Sequence, residues 1–155
     1  MANYCRNMAE FTGEQSQIDK IAMLFTNMAI KEKQEEKGQM PAFITPDKDW
    51  FFNIEWDGDL LFYDTRWTPN FNALQQVADH YGVGFILDYT ETGNLIYGQA
   101  TYEAGELNDI YLEPSDFDLY DYDVDTGTYT FENSTYEDNE AILELLLERR
   151  KGQGL

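Results

Sequence analysis

The sequence predicts an α+β fold in which helices cover an antiparallel sheet. Segments with an apolar residue at every second position, typical of half-buried strands, alternate with segments whose apolar residues recur every three or four positions, typical of amphipathic helices. The 155 residues are 43% hydrophobic and 15% aromatic, sufficient for one domain with a proper core. We therefore predict a single domain over residues 1–155.

The first elements are a strand and a helix. Residues 3–11 alternate imperfectly between apolar and polar side chains and end in a turn at Gly13, which predicts a strand. Apolar residues from Ile18 to Met28 then recur at helical spacing. We predict an amphipathic helix over 14–30.

A hairpin follows a charged, turn-rich connection over 31–49. Two strands are predicted, over 50–56 and 60–66, with Asp57-Gly58-Asp59 between them. An Asp-Gly pair provides the positive φ of a tight hairpin turn.

The second helix has predictable ends. We predict Thr68 as the N-cap, since its hydroxyl can accept a hydrogen bond from the first turn. Pro69 after it suits the first helical position, where its missing N–H is not needed. Apolar residues from Phe71 to Tyr81 form the buried stripe, and Gly82 ends the helix.

Two further strands complete the predicted core, over 83–89 and 95–102. The order is then βαββαββ, which predicts an antiparallel sheet with the helices on one face, the ferredoxin-like arrangement. We assign this core to residues 1–105.

The remaining residues, 106–155, form a predicted acidic extension. Short extended segments are expected between Ile110 and Tyr122, then a turn at Asp125-Thr126-Gly127 and a returning strand over 128–132. A last helix over 137–151 is acidic at its start and basic at its end, as the helix dipole favours.

Three segments carry a family resemblance: Asn3-Tyr4-Cys5-Arg6-Asn7 with Gly13, Thr65-Arg66-Trp67-Thr68-Pro69, and Tyr89-Thr90-Glu91-Thr92-Gly93 followed by Tyr97-Gly98. In this order the chain resembles, over about residues 2–105, the YubB-type ferredoxin-like domain family of phages and plasmids. The resemblance implies a fold and a mobile-element setting. It implies no catalytic residues, because the family has no assigned activity.

The net charge of −20, from 30 acidic and 10 basic residues, disfavours some partners. It is far beyond the magnitude of about 2–8 that keeps a small domain soluble. From Trp67 to Glu148 the sequence has 18 Asp and Glu and no Lys or Arg. Such a surface repels phosphate backbones and anionic lipids, so we expect neither direct nucleic-acid binding nor membrane binding.

The single cysteine, Cys5, and the apolar pattern bear on location. One cysteine cannot form an intramolecular disulfide, which indicates a reducing compartment. The first residues lack the apolar segment of a signal peptide, and no apolar run approaches the about 18 residues of a membrane span. We expect a cytoplasmic protein, in the cytosol of a bacterial host.

Acidic and aromatic residues interleave in the extension. On a strand, alternate residues share a face about 6.6 Å apart, close to two phosphate steps of about 3.4 Å along DNA. We predict that this segment contacts a partner in place of a polyanion. The first-choice contact residues are Asp116, Asp118, Asp121, Asp123 and Asp125. The next choices are Glu132, Glu137, Asp138 and Glu140, and the aromatic residues predicted to anchor the partner are Tyr120 and Tyr122.

Calcium is an alternative ligand for the same segment. Asp121, Asp123, Asp125 and Glu132 occupy positions 1, 3, 5 and 12 of a calcium-loop spacing. The glycine is seventh, at Gly127, instead of sixth, and strands instead of helices flank it. A hairpin turn is favoured, and we expect no metal and no cofactor.

Catalysis has few candidate residues. His80, the only histidine, is expected at a helix end, and Cys5 on a strand would need that histidine as its base. No phosphate loop, serine elbow or zinc spacing is present. We predict that the chain is not an enzyme.

These observations favour a protein that binds a basic bacterial partner, a nuclease or CRISPR effector. The predicted function is inhibition of the anti-CRISPR or antirestriction type, by occlusion of a nucleic-acid site through charge mimicry. The alternative is a non-catalytic interaction or assembly module without mimicry, and the third is a calcium-binding domain.

Overall fold

The computed structural model describes residues 3–46 and 48–153, and it confirms the predicted α+β class. The main sheet and its two covering helices contain eight elements. In chain order these are β1 (Tyr4–Thr12), α1 (Gln15–Glu35), β2 (Phe52–Asp57), β3 (Leu60–Arg66), α2 (Phe71–Tyr81), β4 (Gly84–Glu91), β5 (Ile96–Glu103) and β6 (Glu106–Tyr111).

The main sheet has the strand order β2-β3-β1-β4-β5-β6, and every neighbouring pair is antiparallel. The unit β1-α1-β2 is split by β3, and the unit β3-α2-β4 is split by β1. This interleaving of two split units confirms the ferredoxin-like arrangement. Strands β5 and β6 extend it at one side.

Helices α1 and α2 pack on one face of this sheet. Along β1 the side chains of Cys5, Asn7, Ala9 and Phe11 are buried, whereas their neighbours face the opposite side. Tyr63 is also fully buried in this main core. The largest helix residues in the same core are Ile21, Phe25, Met28, Leu74 and Val77.

Helix α1 continues to Glu35, five residues beyond its predicted end. Its extra turns carry Glu32, whose carboxylate accepts hydrogen bonds from the backbone N–H groups of Asn53 at 2.7 Å and Ile54 at 2.9 Å. Glu32 therefore satisfies donors on β2, which lies at an edge of the sheet. That contact is formed across the fold, so helical spacing within α1 did not indicate it.

The predicted start of α2 at Thr68 is wrong, because the helix begins at Phe71 after Asn70. The Thr68 N–H donates to the Arg66 carbonyl at 2.8 Å, so the backbone turns there before the helix begins. The Asn70 side chain accepts from the Tyr63 hydroxyl at 2.9 Å instead of capping the helix. The predicted end is confirmed: Gly82 has a φ of +67°.

The extension forms a small second sheet and a helix. Its elements are a 3-10 turn (Pro114–Asp118), β7 (Asp121–Asp123), β8 (Thr128–Phe131), β9 (Ser134–Tyr136) and α3 (Glu140–Gln153). The three strands pair in the order β7-β8-β9. The sequence predicted the turn and β8 but not β9.

Helix α3 covers the opposite face of the main sheet from α1 and α2. Tyr97 on β5 and Ile110 on β6 lie on that face and pack against a second apolar cluster. The predicted placement of the two core helices on one face is confirmed, and α3, which was assigned to the extension, lies on the other face. Buried members of this second core are Leu112, Phe117, Phe131, Ile142, Leu143, Leu146 and Leu147. None of the helices in the described ranges is long and apolar enough to span a membrane.

Candidate functional site

The predicted row of carboxylates does not lie on one strand. Asp116 and Asp118 belong to the 3-10 turn, Asp121 and Asp123 to β7, and Asp125 to the turn after it. The helical turn forms because Pro114 suits its first position and a reciprocal capping box links Glu113 with Asp116. The strand geometry assumed for residues 116–118 was therefore wrong.

Asp116 is buried, with 9% of its surface exposed. One oxygen, Oδ2, accepts two hydrogen bonds from the Arg150 guanidinium, at 2.6 and 3.1 Å, and a third from the Glu113 N–H at 2.8 Å. The predicted contact of Asp116 with a partner has no support from this geometry. Its carboxylate instead fastens α3 to the 3-10 turn.

The substitution Asp116→Asn is expected to lower the free energy of unfolding by about 1–2 kcal/mol, because it removes a charge-assisted contact to a partly exposed arginine. Asp118→Asn is the matched control in the same turn, where Asp118 is exposed. We expect that control to stay within about 0.5 kcal/mol of wild type in urea unfolding. Equal effects of the two substitutions would contradict the assigned role.

Glu132 is also engaged within the molecule. Its two oxygens accept hydrogen bonds from Arg149, at 2.6 and 2.9 Å, and this arginine holds the pKa of Glu132 below its ordinary value of 4.5. The calcium spacing is not assembled. Within residues 3–46 and 48–153, no three His, Cys, Asp or Glu side chains are grouped to hold a metal ion.

Three of the predicted carboxylates, those of Asp121, Asp123 and Asp125, project from β7 and from the turn that connects it to β8. The segment formed by β7, this turn and β8 is here termed the acidic hairpin (residues 121–131). All three residues of β7 are exposed, as is Asp125. Within the described residues no Lys or Arg forms a salt bridge with Asp121, Asp123 or Asp125. Tyr122 and Val124 between them are 54% and 80% exposed.

The acidic hairpin is internally braced. The Asp123 side chain accepts from the Asp125 N–H at 2.9 Å, and the Asp123 carbonyl accepts from the Gly127 N–H at 2.8 Å. Gly127 has a φ of +71°, which a glycine adopts without strain. The rings of Tyr122 and Tyr129 lie 4.8 Å apart across the two strands. The carboxylates therefore project from an ordered support.

The other predicted contact residues differ in how far their side chains are exposed to a partner. Tyr120 is half-buried and packs against Tyr129, and its hydroxyl accepts a hydrogen bond from the Asn139 side chain at 3.2 Å. Its contacts therefore lie within the extension. Glu137, Asp138 and Glu140 are exposed near the start of α3. Asp138 accepts from the Glu140 N–H at 3.0 Å and so satisfies a donor at the helix start.

A groove of about 570 Å³ lies between α3 and the face of the main sheet that this helix covers. Glu140 and Glu144 line it from the helix, and Asp88 and Tyr97 from the sheet. Burial, and then Glu144, Glu140 and Asp88, raise the pKa of the Tyr97 phenol well above its usual range. The contribution of Asp88 and Glu144 could not be predicted from the sequence, because only tertiary packing brings them together.

Cys5 and His80 lack the surroundings of catalytic groups. Cys5 is fully buried, and burial is the main cause that raises its pKa to about 12, so the reactive thiolate is disfavoured. The His80 ring stacks on Phe43, with centroids 3.9 Å apart, near the end of α2. The absence of enzymatic activity stays a prediction.

One comparison with known proteins gave a match. The model of a family described as "Ferredoxin-like domain in Api92-like protein" matches residues 48–132, more than half of the chain. The match contains β2 to β6 and the acidic hairpin, and so continues past residue 105, where the predicted resemblance ended. A ferredoxin-like family is thereby confirmed, whereas the YubB-type attribution is not. No curated protein and no solved structure matches the chain.

Proposed function

The chain belongs to the family of the ferredoxin-like domain in Api92-like protein, and we propose that it inhibits a bacterial nucleic-acid-binding defence protein. It would act without catalysis, as an anti-CRISPR or antirestriction protein of a phage or mobile element, in the host cytosol and with a YubB-type core. The acidic hairpin would occupy the partner's nucleic-acid site. The observation that carries this proposal is the set of exposed carboxylates of Asp121, Asp123 and Asp125 on an ordered hairpin, which form no salt bridge with any residue of 3–46 or 48–153.

The spacing of the hairpin carboxylates supports mimicry of a phosphate backbone. Asp121 and Asp123 are alternate residues of β7 and share one of its faces. Alternate strand residues are about 6.6 Å apart, close to two phosphate steps of about 3.4 Å. Asp121 and Asp123 therefore have the strand spacing that resembles phosphate steps, whereas the whole predicted row does not.

The distribution of positive charge supports the same surface. The three basic residues of α3 are each paired: Arg149 with Glu132, Arg150 with Asp116 and Lys151 with Glu148. In the described part of the chain, none of these three basic residues forms a salt bridge with Asp121, Asp123 or Asp125. Arginine or lysine side chains in a nucleic-acid groove would form charge-assisted hydrogen bonds with them, and the negative field would speed association.

A second candidate function is an interaction or assembly module without mimicry. The exposed apolar side chains near the acidic hairpin favour it: Leu119 is 55% exposed, and Tyr122 and Val124 more than half. Tyrosine in particular is frequent among the residues that dominate protein interfaces. In that case apolar contacts would provide the affinity, and the charge would act only in steering and solubility.

Salt dependence separates the two functions. The tagged chain would capture its partner from a bacterial lysate, and the purified pair would then be titrated from about 0.05 to about 0.5 M salt. Mimicry predicts at least a tenfold (~1.4 kcal/mol) loss of affinity and exclusion of the partner's DNA or RNA. An affinity that does not change with salt, or a ternary complex that retains the nucleic acid, would support the assembly module instead.

A further inference from the structure

A separate pocket of about 430 Å³ lies near the β2 edge of the main sheet, at the other edge from β6. It is found where β3 ends beside the C-terminal end of α1. Its walls combine two cations, two aromatic rings and polar groups. The residues that matter are Lys37, Asp49, Trp50, Phe52, Arg66 and Thr68. Two cations therefore line one pocket of a protein whose net charge is −20.

Both cations are held above aromatic rings. The Lys37 Nζ lies 6.0 Å from the centre of the Trp50 ring, and the Arg66 guanidinium carbon 4.9 Å from that of Phe52. These are cation–π distances, which position a charge without neutralising it. Arg66 has no salt bridge with any residue that the structure describes, and the carboxylate paired with Lys37, from Glu35, is 4.0 Å away.

The backbone beside the pocket is strained. Trp67 has a φ of +68°, and the N–H of Thr68 donates to the carbonyl of Arg66 across it at 2.8 Å. A three-residue turn with positive φ is rare, and a bulky residue in this region is an outlier. Half of the Trp67 surface is exposed, so full burial does not hold it there. The turn places Arg66 and Thr68 on the same pocket, and such strain concentrates at ligand sites.

We propose that this pocket binds a mononucleotide. The phosphate would lie between the Lys37 ammonium and the Arg66 guanidinium, both of which form charge-assisted hydrogen bonds with phosphate oxygens. The base would pack against Trp50, and Asp49 would accept a hydrogen bond from a base amino group or a ribose hydroxyl. The volume is in the range of about 300–1,000 Å³ that small-molecule sites occupy.

The surroundings favour one nucleotide over a nucleic-acid chain. The groove next to the pocket shares Lys37 and Arg66 with it, and its other charged lining residues are Glu32, Lys33 and Glu36. Additional phosphates would enter this groove near the two carboxylates, and the field of the whole protein would repel them further. A single phosphate at the two cations meets less of that repulsion than a chain of phosphates would.

The test is a titration of the full chain with AMP, GMP, CMP and UMP, with adenosine and inorganic phosphate as reference ligands. Calorimetry would measure affinity, and NMR would follow the indole N–H of Trp50. We expect at least one mononucleotide to bind about tenfold or more tightly than either reference ligand, and to shift the Trp50 signal. Arg66→Gln and Lys37→Gln should each weaken binding about tenfold or more.

Lys20→Gln, near the start of α1, is the matched control and should leave nucleotide affinity unchanged. Lys37 and Arg66 are both exposed, so thermal unfolding of their variants should match that of wild type. Three results would overturn the proposal: no mononucleotide binds, inorganic phosphate binds as tightly as the nucleotides, or affinity survives both substitutions. Because Trp50 is observed in the unaltered chain, the first result does not depend on any variant.

Discussion

Replacement of Asp121, Asp123 and Asp125 with lysine is expected to weaken binding of the captured partner about a hundredfold or more, equivalent to ~2.7 kcal/mol. Each substitution removes an attractive charge and introduces a repulsive one at a position that is exposed in the free protein. Like charges across an interface are strongly unfavourable. Competition binding against labelled DNA would measure the loss, together with recovery of the partner's DNA binding.

The matched control changes the same net charge elsewhere. Asp57 at the end of β2, Asp59 in the β2–β3 connection and Glu103 at the end of β5 are exposed acidic residues. Their replacement with lysine should reduce affinity only through the weaker long-range field, by less than about tenfold. Equal losses in the two triple variants would indicate a generic acidic surface. Full binding by the variant of the acidic hairpin would reject that hairpin as the contact.

The substitution Leu143→Ala is expected to destabilise the extension by about 3–4 kcal/mol. Leu143 is 1% exposed and lies in the second core, where α3, the small sheet and the adjoining face of the main sheet meet. Its truncation removes apolar contacts and leaves a cavity that the short strands β7 to β9 have little means to fill. Urea unfolding would measure the change, and hydrogen exchange of the β7–β9 amides would show whether the extension opens by itself.

Leu145→Ala provides the control on the same helix. Leu145 is 38% exposed, so its truncation removes less buried surface and should cost less than about 1 kcal/mol. The comparison keeps helix propensity and chemistry the same. Similar losses for the two leucines would contradict the assignment of the buried face of α3. Intact exchange protection in β7–β9 of the Leu143 variant would show that the small sheet does not depend on the packing of Leu143.

Local signals were sufficient for most of the main sheet. The strand β3 was predicted over 60–66 and is observed as Leu60–Arg66, because Asp57-Gly58 defines the hairpin before it. Gly82 ended α2 as predicted, since a left-handed position after a helix strongly favours glycine. Both signals act through residues that are neighbours in sequence.

The errors arose where a local pattern allowed two structures. Thr68-Pro69 has the composition of a helix start, but the Tyr63 hydroxyl engages Asn70 and the helix begins after it. The alternation of acidic and aromatic residues was typical of a strand, but Asp116 is held in a helical turn by its capping box and by Arg150. In each case a contact formed across the fold selected the outcome.

Composition and periodicity by themselves determined the α+β class, the antiparallel order of the strands, and an acidic segment after residue 67. The tertiary structure decided which carboxylates remain free: Arg149 and Arg150 engage Glu132 and Asp116, whereas Asp121 and Asp123 stay exposed. It also decided that α3 lies on the opposite face of the sheet from α1 and α2. The physical reason is that periodicity and turn chemistry depend on adjacent residues, whereas ion pairs, grooves and helix placement depend on residues that only the folded chain brings together.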